Sequence, residues 1–370
     1  MKKTIYLDNQ ATTPLAPEVF EAMVPLLKDN FGNPHSAHKL GRQAAAIVEA
    51  AREQVEALLP AKGKLVFTGS ATEAINLGFG VVRKQLEDGR NKIIVLETEH
   101  AAVRDTAISY RELGFEVCLL PVKEDGILFL EELASKIDHE TALVAAMLVN
   151  NEIGVIQPIE AIVELAHSQG ALMLCDAVQG YGRMTMPKNV DMIALSGHKI
   201  YGPKGIGALW MKKELEIPTL IHGGRQEMGV RSGTLSPALC AGLGKAAMLC
   251  HDYMDRDLEH IEKLSHSAQE LFSDWVVNGS MAQRYPGNLN IRKDGLDVAR
   301  LISTVRDVAF SAGSACASGS GRPSHVLTAL GLEPAQVKSS IRLGFGRYNN
   351  MDDIEQAANL INIAAKAQSQ

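Results

Sequence analysis

Between about residue 40 and residue 210, short apolar runs alternate with longer amphipathic stretches, and few folds accommodate that pattern. The runs are Leu65–Thr68, Ile93–Leu96, Val117–Leu120, Leu143–Val149, Leu172–Cys175, Met192–Leu195 and Gly207–Trp210. Most are continuously apolar rather than alternating, as strands covered on both faces should be. Between them, Thr72–Leu86, Ala102–Leu113, Leu128–Ile137 and Ile159–Ser168 carry the helical period. Strand, helix, strand repeated in this way predicts an α/β fold around a largely parallel sheet with right-handed crossovers. After Leu235 the pattern changes to a long helical stretch, Pro237–Phe272, then short strands near Gly287–Ile291 and Val308–Ser311. The chain of 370 residues is long for one domain. We expect a large domain over 12–251 and a smaller α+β domain from 1–11 with 252–370.

Ligand sites in such sheets gather beyond the carboxyl ends of the strands, so polar residues that follow an apolar run are the candidates. Ser196, Gly197, His198 and Lys199 follow one run. Alone, Lys199 reads as a solvated lysine in a polar turn; beside a carbonyl cofactor it is an amine able to form a Schiff base. Asp176 ends another run, where a carboxylate can cap a helix, bind a metal or pair with a pyridinium nitrogen. Between Asp176 and Lys199 there is room for one helix and one further strand. Gly69-Ser70-Ala71-Thr72-Glu73 follows a third run and opens a helix, either as a plain cap or as a phosphate cradle of N–H and hydroxyl groups. His100 and Asn151 follow two more.

The five cysteines, 118, 175, 240, 250 and 316, show no metal-ligand spacing and no disulfide pattern, which suits a reducing compartment. Cys175 and Cys240 sit in apolar surroundings, and Cys118 and Cys250 also read as structural. Cys316 lies in Ser311-Ala312-Gly313-Ser314-Ala315-Cys316-Ala317-Ser318-Gly319, a run of small residues that packs little core and suits an accessible nucleophile. A formal net charge of -6 leaves no footprint for nucleic acid. No apolar stretch suits a membrane span or a signal peptide, so a cytoplasmic protein is expected. No G-x-G-x-x-G follows the first strands, which weighs against a dinucleotide site.

These motifs, in this order, resemble the cysteine desulfurases that depend on pyridoxal 5'-phosphate (PLP), in the NifS/IscS branch. The likeness takes in Leu7-Asp8-Asn9-Gln10-Ala11-Thr12-Thr13-Pro14, Phe31-Gly32-Asn33-Pro34, Thr98-Glu99-His100 and Val149-Asn150-Asn151-Glu152-Ile153-Gly154. It continues through Ser196–Gly207, Arg231-Ser232-Gly233-Thr234, Gly313-Ser314-Ala315-Cys316 and Ser340-Ile341-Arg342. The phosphate turn departs from the family's usual Thr-Ser-Gly-Ala-Thr-Glu by exchanging Gly69 and Ser70.

The resemblance implies a fold-type I PLP enzyme with a seven-stranded sheet, working as a homodimer. It implies that Lys199 holds PLP, Asp176 pairs with the ring nitrogen, Gln179 with the phenolic oxygen, and His100 stacks on the ring. Thr72, Ser196 and His198 would bind the phosphate, joined by Thr234 of the other protomer, and Ala71 and Asn151 would also contact the cofactor. Asn151 and Arg342, with Asn33, would bind the substrate, L-cysteine. Lys199, Cys316 and His100 would be catalytic: sulfur passes to Cys316 as a persulfide and alanine is released. The acceptor would be an iron–sulfur scaffold or another thiolation partner. No resident metal is expected, only a passing iron–sulfur contact at Cys316. Selenocysteine lyase, or another PLP reaction on this fold, is the alternative; a loop thiol disfavours an aminotransferase.

Overall fold

The computed structural model describes residues 4–86, 88–312 and 323–368. Its strands are β1 (Ile5–Tyr6), β2 (Gly63–Thr68), β3 (Lys92–Leu96), β4 (Glu116–Leu120), β5 (Thr141–Met147), β6 (Leu172–Asp176), β7 (Met192–Ser196), β8 (Gly207–Lys212), β9 (Val276–Val277), β10 (Asn288–Arg292), β11 (Val308–Ala309) and β12 (Ser340–Gly344). The apolar runs form one seven-stranded sheet in the order β2-β8-β7-β6-β5-β3-β4. The inner pairs β3–β5, β5–β6 and β6–β7 are parallel, as is β3–β4, whereas β8 runs antiparallel to both β7 and β2. The mainly parallel α/β sheet expected from the sequence is therefore present.

Alternation along each strand feeds two separate cores. Ile94, Leu96, Val144 and Ala146 face a core shared with the helices Lys39–Glu56, Ile159–Ser168 and the first half of Pro237–Leu271. Ile93, Val95, Leu143 and Ala145 face the opposite core, under the helices Ala71–Phe79 and Ala101–Ser109. With both faces covered, water reaches the sheet only at its edges and ends, and polar residues beyond the strand ends meet at one rim.

A third core joins Ile5 and Leu7 to Ile261, Leu264, Leu289, Ile291, Ile341, Leu343 and Ile361. It covers the sheet β12-β10-β9, and the short β1–β11 pair brings the amino terminus into it. The helix Pro237–Leu271 belongs to two cores, with Leu243 and Ala247 in the first and Leu264 and Ala268 in the third. Tyr285, Val326, Leu327 and Val337, from beyond residue 252, nevertheless pack into the first core.

Local details differ from the sequence expectation. The stretch Thr72–Leu86 is two helices, Ala71–Phe79 and Val82–Gln85, parted at Gly80. Between β6 and β7 there are turns and no helix, so Asp176 and Ala194 lie directly opposite on adjacent parallel strands. Strand β5 ends at Met147, and Val149 makes an isolated bridge with Ile156 instead.

Candidate active site

A cavity of about 610 Å³ opens at the rim formed by the carboxyl ends of β2, β3, β5, β6 and β7. Ala71, Thr72, His100, Asn151 and Asp176 line it, together with Gln179, Ser196, His198, Lys199 and Arg342. Asn33 and Thr234 are exposed and do not line it within this chain. Cys316 lies outside the described residues.

Each side chain arrives by a local device. Ser70 caps the helix Ala71–Phe79, its Oγ accepting from Glu73 N at 3.2 Å. The Gly/Ser exchange thus puts the hydroxyl at the cap, while Gly69 N donates to Glu73 Oε2 at 2.7 Å. Gly207, the first residue of antiparallel β8, passes directly beneath this turn: a Cβ there would come within 2.6 Å of Ser70 C and 2.8 Å of Ala71 N. Arg231 reaches Glu73 Oε1 at 2.7 Å and ties the Arg-Ser-Gly-Thr segment to the same turn.

His100 caps the helix Ala101–Ser109, with Nδ1 accepting from Ala102 N at 3.1 Å. An accepting Nδ1 leaves Nε2 to carry the proton of the neutral ring. Asp176 is buried and has a backbone donor, Val178 N at 3.0 Å. Burial pushes its carboxyl above the usual range, and the nearby charges of His100 and Lys199 oppose that rise. Lys199 Nζ donates to Gln10 O at 2.6 Å and to Ala11 O at 2.8 Å. His198 Nδ1 sits 3.1 Å from Thr12 Oγ1, and burial, then the charge of Lys199, pushes the ring down to about 4, so it is neutral near pH 7.

At the other end, Arg342 is only 1% exposed. Its Nη1 donates to Asn151 O at 2.9 Å and its Nη2 to Asp8 Oδ1 at 2.7 Å, while Nε is buried with no partner among the described residues. Arg342 lines the cavity, and a planar ligand carboxylate suits a guanidinium there. The lining also includes Gln10, Arg104 and His325, whose positions carry no local sequence signal. His325 Nε2 lies 2.9 Å from Glu99 O.

The donor set fits a phosphorylated pyridine aldehyde: an amine, a buried carboxyl in need of a cation, and hydroxyl and N–H groups at a helix N-terminus, inside one cavity. The class-V aminotransferase profile matches residues 5–357. The chain belongs to the class-V aminotransferase family, in its NifS/IscS branch. It is 42% identical over 368 residues to the cysteine desulfurase IscS of Rickettsia bellii (strain OSU 85-389), covering 96% of this chain and 90% of the relative. A solved NifS-like protein superposes with a TM-score of 0.90 at 30% identity, covering 97% of this chain and 99% of that one. A NifS-like protein of Rickettsia africae ESF-5 gives 0.87 at 30% identity, with 98% and 99% covered. For a class-V aminotransferase, the strand-end cavity is therefore the place to look for chemistry.

The four described cysteines are poor nucleophiles. Burial pushes Cys240 up to about 12 and Cys250 up to about 11, raises Cys175 well above its usual value and raises half-buried Cys118. None of them lines the cavity.

Proposed function

We propose that this protein is a PLP-dependent cysteine desulfurase that converts L-cysteine to L-alanine and takes the sulfur on Cys316. The observation that carries the reading is the convergence of Lys199, Asp176, His100 and Arg342 on one cavity at the carboxyl ends of the strands. The bound pyridoxal group supplies an electron sink next to the substrate's Cα. Lys199 Nζ would anchor it, and the same amine would serve as base for the Cα proton. Asp176 would keep the ring nitrogen protonated, Gln179 would meet the phenolic oxygen, and Ala71, Thr72, Ser196 and His198 would hold the phosphate.

Arg342 and Asn151 hold the substrate carboxylate, with Asn33 a further substrate contact, and His100 receives the thiol proton. The Cys316 thiolate attacks the substrate sulfur. A sulfur–sulfur bond forms as the Cβ–S bond breaks, and the electron pair left on the amino-acid fragment takes up a proton to give alanine. The chain on either side of the 313–322 segment supports that role: Ser311 Oγ donates to Asp8 Oδ1 at 2.8 Å beside Arg342, and Pro323 lines the cavity. The high thiol values of the four other cysteines support it by elimination.

The same reading makes the protein a cytoplasmic homodimer with domains 12–251 and 1–11 plus 252–370, in which exposed Thr234 reaches the partner's phosphate site. It delivers sulfur to an iron–sulfur scaffold or another acceptor protein. The test is the visible spectrum of the purified protein, followed by L-cysteine under reductant. A cofactor band that shifts on adding cysteine, with alanine and sulfide in equal amounts, supports the reading. A band without sulfide moves the activity to another amino acid, and no band after reconstitution removes the cofactor.

A further inference from the structure

The roles above leave Arg183 unused, although it grips two of the residues that carry them. The turn after β6 closes with Tyr181 N on Ala177 O at 2.7 Å and Arg183 N on Gly180 O at 3.0 Å. Gly182 takes φ 72°, and a Cβ there would come within 2.9 Å of Cys250 Sγ, so the tight turn depends on glycine. It returns Arg183 beneath the cavity floor. Nη1 donates to Gln179 Oε1 at 2.7 Å and Nη2 donates to Lys199 O at 2.7 Å. The guanidinium lies 5.3 Å from the Tyr285 ring centroid, and among the described residues no carboxylate pairs with it.

This fixes which way the Gln179 amide points. Arginine can only donate, so the amide oxygen must face it. The amide nitrogen donates to Gln10 O at 2.9 Å, the same carbonyl that accepts from Lys199 Nζ. One N–H remains, and it is the donor the amide has left for a ligand. We propose that Arg183 is a positioning residue: it locks Gln179 as a donor toward the bound cofactor and fixes the main chain that carries Lys199. The inference rests on the cofactor reading of the cavity.

A donor held against the phenolic oxygen weakens that oxygen's grip on the proton of the cofactor–lysine linkage. A freed amide would turn, so the proton would be held more tightly. The experiment is a visible pH titration of the holoenzyme in wild type, Arg183→Met, Arg183→Lys, Gln179→Ala and the Arg183→Met/Gln179→Ala double variant. Arg183→Met should raise the pH midpoint of the band by about one unit, on the order of one net hydrogen bond. Arg183→Lys keeps the charge but cannot span both acceptors, and should give a smaller rise. Gln179→Ala should shift the midpoint as Arg183→Met does, and the double variant should go no further.

An unchanged midpoint in Arg183→Met, or shifts that simply add in the double variant, would overturn the proposal while leaving the cofactor reading intact. A wild type with no visible band would overturn both.

Discussion

Arg342, in the cavity lining, pairs with Asp8 at 2.7 Å, so the guanidinium proposed to meet the substrate already holds one carboxylate. Ser311 Oγ shares the same carboxylate oxygen at 2.8 Å. Removing one partner of a buried pair leaves the other charge uncompensated. Asp8→Asn keeps an acceptor, and should lower stability by about 1–3 kcal/mol in urea denaturation. It also withdraws the competing anion, so the KM for L-cysteine should fall severalfold. A KM that rises as stability falls would mean that Asp8 orients Arg342 rather than competing for it.

Lys199→Ala should abolish the visible band of the lysine-bound cofactor. Both Gln10 O and Ala11 O lose the ammonium, but Gln10 O keeps a neutral donor from Gln179. The fold should therefore lose no more than about 1–2 kcal/mol. A normal spectrum in this variant, with the protein folded by circular dichroism, would remove Lys199 from its assigned role.

The site was legible because strands buried on both faces read as unbroken apolar runs, and the residues that follow such runs meet at one rim. Asp176, Ser196 and His100 could be found in that way. Arg342 could not, because it sits within β12, a strand that sequence periodicity does not mark; only the family likeness pointed to it. His325 lines the cavity and Arg183 grips its lining residues through tertiary contacts, such as His325 Nε2 with Glu99 O and Arg183 Nη2 with Lys199 O. Nothing local announces them. The helix Lys39–Glu56 buries Gly41, Ala44, Val48, Ala51 and Val55, which recur at the helical period although two of them are alanine and one is glycine.

His198 gives the cofactor-free protein a pH dependence of definite sign. Its ring is pushed down to about 4 in the fold, against about 6.5 in an unfolded chain. Between those values the unfolded state binds the proton and the folded state does not, so stability is full above about pH 6.5 and falls as pH drops toward 4. The ceiling is about 1.4 kcal/mol per pH unit, and partial exposure of the ring to solvent reduces it. Urea midpoints at pH 7 and pH 5 should differ less in His198→Gln than in wild type. An equal difference in the two proteins would assign the acid loss to other groups.

Gly207→Ala tests the crowding of β8 against the phosphate turn. The added methyl would meet Ser70 C at 2.6 Å, Leu195 O at 2.7 Å and Ala71 N at 2.8 Å, all backbone atoms that cannot rotate away. Overpacking of this kind costs about 1–3 kcal/mol, and relief requires the turn to lift. Cofactor affinity in equilibrium dialysis should fall roughly tenfold or more. Unchanged affinity would mean that the turn moves freely and that its backbone is not the cradle.

Cys316→Ser separates the cofactor from the sulfur step. Serine cannot hold a persulfide, yet it leaves Lys199, Asp176, Gln179 and His100 untouched, so the band and its shift on adding L-cysteine should survive. Labelled sulfur from cysteine should then fail to appear on the protein, and sulfide release should drop by about two orders of magnitude or more, the scale of losing a nucleophile. Sulfur on the variant would direct attention to Cys118, the one described cysteine that is not buried. Its thiol is itself held up by burial, and it lies on β4, whereas the cavity lining comes from the loops after other strands. Full turnover by Cys316→Ser, with no label on any cysteine, would instead mean that sulfur leaves directly as sulfide and that the small-residue segment serves another purpose.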